Sequence, residues 1–271
     1  MAINLTFHTT HSFSYPVGAQ VPPETAPTGL TVCRVFNDPS LAFLTQSTND
    51  DDLVFVSLAD GNEYLRHVTP PGRETISGLA YNRFADRIWC SLSTTTPDEV
   101  IAIDPDTGNE VAAQTWSANI HVSVPQGLGC NGLFFTRCYS EWIELRTMGG
   151  IFIADKRYPG RIIRGLTAAH AGWCYVDNQT DELVVIGPFG NEAAIAPAPG
   201  AAGGCNAIAF DDITDHRAAP QVWLENGTIG AVGTINHPDT PWNPTPWLGR
   251  HRIYIANNVD EIVYAGYLTA N

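Results

Sequence analysis

Gly78-Leu79-Ala80-Tyr81, Asp86-Arg87-Ile88-Trp89 and Glu99-Val100-Ile101-Ala102-Ile103-Asp104-Pro105-Asp106-Thr107-Gly108 are the stretches that decide the fold. Each apolar run is short, rich in β-branched or aromatic residues, and closed by turn formers, so each reads as a strand. In Asp104–Gly108 the proline presets one backbone angle and the glycine accepts the left-handed one, which is what a tight hairpin needs. Four strands follow, near 76–81, 86–92, 98–104 and 109–116.

The unit recurs. Asp98-Glu99, Asp181-Glu182 and Asp260-Glu261 each precede a strand-like run, and Gly-Asn-Glu occurs at 61–63, 108–110 and 190–192. Second strands are expected around Phe43, Trp89, Trp142, Trp173, Trp223 and Tyr254, a mean spacing of about 42 residues, inside the period of about 40–45 residues of four-stranded blades. First strands are expected at Gly29-Leu30-Thr31-Val32, Ser77-Gly78-Leu79, Cys130-Asn131-Gly132-Leu133, Arg164-Gly165-Leu166 and Cys205-Asn206-Ala207-Ile208. One four-stranded sheet cannot bury both faces, whereas sheets set radially bury each against the next. The expectation is an all-β, six-bladed β-propeller of four-stranded antiparallel blades, one domain over 1–271. Ile3, Leu5 and Phe7 alternate with polar or small residues, so 1–8 is expected to close the last blade, with 16–28, rich in proline, crossing to blades in 29–271.

Composition narrows the function classes. The 271 residues include 14 basic and 28 acidic ones, a net charge of −14, yet only 15% are charged. Lys156 is the sole lysine. Such a balance lacks the basic footprint of nucleic-acid or anionic-membrane binding. No apolar run is long enough for a transmembrane helix, and the first residues lack the layout of a signal peptide, which leads to the expectation of a cytoplasmic protein or one assembled into a particle. The six cysteines form no CxxC pair, and Cys90 and Cys174 sit in apolar runs, so free buried thiols are expected.

The unit from Gly78 to Gly108 resembles the repeat of NHL and YVTN-type β-propellers and of the gluconolactonase (senescence marker protein) family. The latter resemblance implies a divalent metal such as calcium on the propeller axis, held by Glu, Asn and Asp. Asn131 in Asn131-Gly132-Leu133 matches the family's asparagine, and Asn206 stands at the same place in a second copy. The family's N-terminal glutamate has no counterpart, since Glu24 lies in the proline-rich stretch. Amide oxygens alone bind a hard cation poorly.

Other polar features read as surface. Asn49-Asp50-Asp51-Asp52 lacks calcium-loop spacing, and Asp211, Asp212, Asp215 and His216 fit a long loop. No nucleophile elbow, Walker A loop or HExxH occurs. The stretch 236–247 is irregular, and Trp242, Trp247, His237 and Asp239 there could stack on a sugar or anchor a protein. The favoured reading is a non-enzymatic interaction module without a cofactor, a structural or adhesive component of a larger assembly such as a virion-type protein, with a protein partner. A metal-dependent lactonase or esterase and a glycan-binding propeller are the alternatives.

Overall fold

The computed structural model describes residues 2–14, 29–45, 52–68, 76–92, 99–115, 126–169, 172–187, 190–211, 213 and 252–270. Among them every regular element is a strand, and no helix is long and apolar enough to cross a membrane. Three sheets have four antiparallel strands each. The first holds β2 (Leu30–Val35), β3 (Asp38–Thr45), β4 (Asp52–Ser57) and β5 (Glu63–Val68). The second holds β6 (Ile76–Asn82), β7 (Arg87–Leu92), β8 (Glu99–Ile103) and β9 (Glu110–Thr115). The third holds β10 (Gly127–Cys130), β11 (Phe134–Tyr139), β12 (Trp142–Thr147) and β13 (Phe152–Arg157).

The fourth sheet has eight strands. One half is the meander β14 (Ile163–Ala169), β15 (Gly172–Asp177), β16 (Glu182–Ile186) and β17 (Glu192–Pro197). The other is β18 (Cys205–Phe210), β19 (Ile253–Asn257), β20 (Ile262–Ala270) and β1 (Ile3–Ser14). β1 lies antiparallel to β20 from Leu5↔Ala270 to Ser14↔Ile262. It also touches β17 in parallel, at Ile3↔Ala194 and Asn4↔Ile195, and so welds the two halves.

Glycine sets how closely the sheets approach. The first strands β2, β6, β10, β14 and β18 contact one another in that order, and β18 returns to β2. At four of these five steps a glycine faces the backbone of the next first strand. A Cβ on Gly29 would stand 2.8 Å from the Leu79 nitrogen, one on Gly78 2.6 Å from that of Leu128, and one on Gly127 2.8 Å from that of Leu166. Gly165 repeats this against Ala207 and Ile208, at 2.7 Å. No side chain fits there, so the Gly-Leu pair is the sequence mark of a first strand. The leucines beside these glycines, Leu30, Leu79, Leu128 and Leu166, are buried, as is Ile208, which follows Ala207 at the same place in β18. Between the sheets lie apolar layers; the largest joins Leu41, Phe43 and Phe55 to Ile88 and Ile101 on one side and Tyr254 and Val263 on the other.

Several expectations change. Where six groups were expected, the described residues hold five, and their first strands already close a cycle. The strand expected at 221–224 lies outside the described residues. In the third sheet the first strand is Gly127–Cys130, while Asn131-Gly132-Leu133 is the turn after it. Trp142 accordingly stands on the third strand of its sheet, and Tyr139, fully buried, ends the second. β1 runs to Ser14, six residues beyond the expected closing segment, and the crossing at 16–28 lies outside the described residues. The six cysteines are buried and form no disulfide.

The recurring Gly-Asn-Glu turns have a second role. Gly61, Gly108 and Gly190 all have left-handed backbones, with φ of 73°, 72° and 77°. Each rests on the outermost strand of the preceding group. A Cβ on Gly61 would lie 2.2 Å from the Phe13 ring of β1, one on Gly108 2.5 Å from the His67 ring of β5, and one on Gly190 2.9 Å from the Lys156 chain of β13. The triplet therefore spaces neighbouring sheets at their rims as the Gly-Leu pairs do at the axis.

Candidate functional site

A cavity of about 120 Å³ opens where the first strands end, lined from all five groups by Thr31, Tyr81, Arg83, Cys130, Asn131, Thr167 and Phe210 among others. Two threonines stitch its wall. The Tyr81 amide donates to Thr31 Oγ1 at 3.0 Å, and the Phe210 amide to Thr167 Oγ1 at 3.3 Å, each across neighbouring groups. Burial raises the Tyr81 phenol well above its ordinary range, and its bond to Asp86 Oδ1 at 2.6 Å adds to this, so it stays neutral. Arg83 is the one charged residue among the described lining, and its guanidinium lies 5.0 Å from the Phe84 ring centre.

Asn131 stands at the rim of this cavity as the cap of its own turn. Its Oδ1 accepts the Leu133 amide at 3.0 Å and the Phe134 amide at 2.8 Å. Asn206 is not beside it. It is the second residue of β18, where its Oδ1 accepts from Asn178 Nδ2 at 3.4 Å, and it does not line the cavity. The two amides suggested for an axial ion are thus apart, Asn131 Oδ1 already accepts two amide protons, and no carboxylate lines the cavity among the described residues. Such residues do not fit a hard divalent cation. Among the described residues no group of three His, Cys, Asp or Glu side chains is placed to hold a metal. Trp242, Trp247, His237 and Asp239 lie outside the described residues.

Cys130 joins the cavity to the core. The Gly132 amide donates to its sulfur at 3.4 Å, and the sulfur lies 3.8 Å from that of Met148. On the outer side of the same rim, three hairpin tips carry apolar side chains into solvent. Phe36 is 62%, Phe84 71% and Leu133 70% exposed. Phe84 packs over Gly132, whose φ of 85° leaves a bare Cα against the ring. The Phe36 amide donates to Asp106 Oδ1 at 2.6 Å in the next sheet. These tips escaped the sequence reading because an isolated aromatic in a turn has no periodicity to mark it.

A buried polar cluster lies apart, in the third sheet. Glu144 Oε1 accepts from Arg146 Nε at 2.8 Å, Arg137 Nη2 at 3.1 Å and the Tyr139 hydroxyl at 3.3 Å, all without solvent contact. Its partners, Arg146 on the same strand and Arg137 and Tyr139 on β11, alternate with apolar residues, so no sequence pattern distinguishes the cluster from a surface ion pair.

No protein-family model matches the sequence, and no curated protein does. Solved structures match in fold. The glutaminyl cyclase of Myxococcus xanthus superposes with a TM-score of 0.65 at 11% identity, covering 100% of both chains. XC5397 of Xanthomonas campestris, a gluconolactonase, gives 0.50 at 10% identity over 98% of this chain and 100% of its own. The virginiamycin B lyase of Staphylococcus aureus gives 0.46 at 13% identity over 75% and 78%. At these identities the likeness speaks of architecture alone. The chain has a β-propeller fold.

Proposed function

We propose that the chain is a non-enzymatic propeller scaffold that docks a protein partner on the face around the axial cavity. The observation behind this reading is the exposure of Phe36, Phe84 and Leu133 at the tips of the first hairpins of three successive sheets. Isolated apolar residues on a surface mean little, but apolar tips grouped around one opening mark a contact surface. The β1–β20 pair is read as the closure of the ring, so that the face is held rigid and a partner meets pre-set side chains.

An axial-metal hydrolase is the second reading, supported by the position of Asn131 on the cavity rim. The capping duty of its oxygen argues against it. A glycan site at Trp242 and Trp247 remains an alternative on sequence grounds.

The test compares the chain with a Phe84→Ser, Leu133→Ser double variant by size exclusion with light scattering in extracts of the cells that make it. The unaltered chain is expected in assemblies larger than its own 29.4 kDa. The variant, with an unchanged thermal midpoint, is expected alone. Turnover of a lactone or ester panel, abolished by EDTA and by Asn131→Ala, overturns the scaffold reading in favour of the hydrolase.

A further inference from the structure

The rim of the third sheet differs from its neighbours. β13 is the terminal strand there and pairs on one side only, with β12, among the described residues. Its residues point to solvent on both faces: Phe152 is 39% and Ile153 44% exposed, and Ile151 just before it 69%. An open strand with three consecutive exposed apolar residues is a template for another strand. The other outer strands differ: β9 also exposes three consecutive apolar residues, Val111, Ala112 and Ala113, but only Val111 among them is large. β5 carries Glu63, Arg66 and His67, and β17 is covered by β1. That cover shows that the fold accepts a further strand outside a sheet of this kind.

Charge supplies the direction of choice. At the end of β13 lies an open cleft of about 670 Å³, lined by Lys156, Arg157 and Arg161 and by one carboxylate, Glu192. Three of the 14 basic residues of a chain with net charge −14 thus fall within six positions. Arg157 is held by Glu141 at 2.7 Å, and Arg161 by Asp177, Glu182 and Glu192, so neither carries free charge into the cleft. Lys156 instead rests its ammonium 5.6 Å from the Tyr158 ring centre and donates to a neutral acceptor, Asn191 Oδ1, at 3.2 Å.

We propose that β13 and this cleft form a docking edge for an extended peptide segment of a partner protein, apolar in its middle and acidic at its end, which adds to the sheet as a strand. Main-chain hydrogen bonds to β13 would supply the pairing, Ile151 to Ile153 the apolar contact, and Lys156 the charge selection. The edge is separate from the hairpin face, so each can fail without the other.

The experiment titrates the full chain into a fluorescein-labelled probe acidic at one end, Thr-Thr-Val-Thr-Val-Thr-Val-Glu-Glu, followed by anisotropy at low salt. Saturable binding is expected, at least fivefold weaker for Lys156→Glu and at least tenfold weaker for Ile153→Lys, with Ile153→Lys keeping the parent thermal midpoint because its side chain is exposed. A probe with proline at the central valine is expected not to bind, since it cannot complete the ladder. A probe ending in lysines is expected to bind at least tenfold more weakly. The Phe84→Ser, Leu133→Ser variant is expected to bind like the parent. No saturable binding, equal binding of the lysine-ended or proline probe, or indifference to Ile153→Lys overturns the proposal.

Discussion

Gly78 stands so close to Leu128 that a Cβ on it would lie 2.6 Å from the leucine amide nitrogen. The atom in the way is backbone, shared with the next first strand, so no side-chain rotation relieves the clash. Gly78→Ala is therefore expected to destabilise the fold by about 3 kcal/mol, at the upper end of overpacking costs. Gly160→Ala is the contrast. It has a φ of 79° but nothing within 4 Å of the added methyl, so its cost is conformational alone, about 1 kcal/mol. Urea denaturation of both variants separates the two origins.

Glu144 holds two buried guanidinium groups together. Glu144→Gln leaves Arg137 and Arg146 buried without their counter-charge. A loss of about 3–5 kcal/mol is expected from breaking a buried ion cluster at one member. Denaturation midpoints measure it, and a loss below about 1 kcal/mol would mean that water reaches the cluster.

Asp177 sets an acid limit to stability. Burial alone would raise its carboxyl, but the amides of Ile162 and Gln179, with Arg161 and Thr180, hold it below the usual carboxylate range. A carboxyl lower in the folded state contributes stability above its unfolded pKa of about 3.9, and that stability is lost as pH falls through the folded value. Asp177→Asn is expected to be less stable than the parent at pH 7 and to converge with it at acid pH. At the alkaline end, burial pushes Tyr254 up to about 12 and Tyr175 further, so ionisation of the unfolded chain should erode stability above about pH 10. Thermal midpoints from pH 2 to 11 test both limits.

Thiol chemistry reads the core. Burial raises Cys33, Cys90, Cys138, Cys174 and Cys205, with Cys138 and Cys205 pushed up to about 12. These five are expected not to react with an aromatic disulfide reagent at pH 8 in the folded protein, and all six to react in urea. Cys130, which lines the axial cavity, is the one position where slow reaction is expected.

The sequence carried the strands well and the third sheet badly, for a physical reason. A first strand is marked by the glycine that lets two backbones meet, and Gly29, Gly78 and Gly165 show it plainly. In the third sheet two Gly-Leu pairs lie five residues apart, at 127–128 and 132–133. Both satisfy the local pattern, and only packing against Leu166 selects the former. The same error moved Trp142 to the wrong strand. Gly-Asn-Glu was legible as a turn, but its contact with the preceding sheet joins residues far apart in the chain, such as Gly61 and Phe13, and no local pattern encodes that. The candidate site was legible only at Asn131; the apolar tips around it are single residues whose importance comes from their being brought together.

The strand β1 has a consequence in time. It is synthesised before β20, yet β20, its partner across nine register pairs, follows about 250 residues later. At synthesis rates of about 5–20 residues per second the wait is on the order of 10–50 s. For most of that interval an alternating apolar strand has no sheet to join; β17, which it touches at only two positions, is made first, and its main partner β20 comes last. Refolding is expected to show the same order, with the inner meanders forming early and this long-range pairing last. Deleting residues 1–14 should then slow nothing before the final step, but leave β20 as a bare edge on which two such chains could meet.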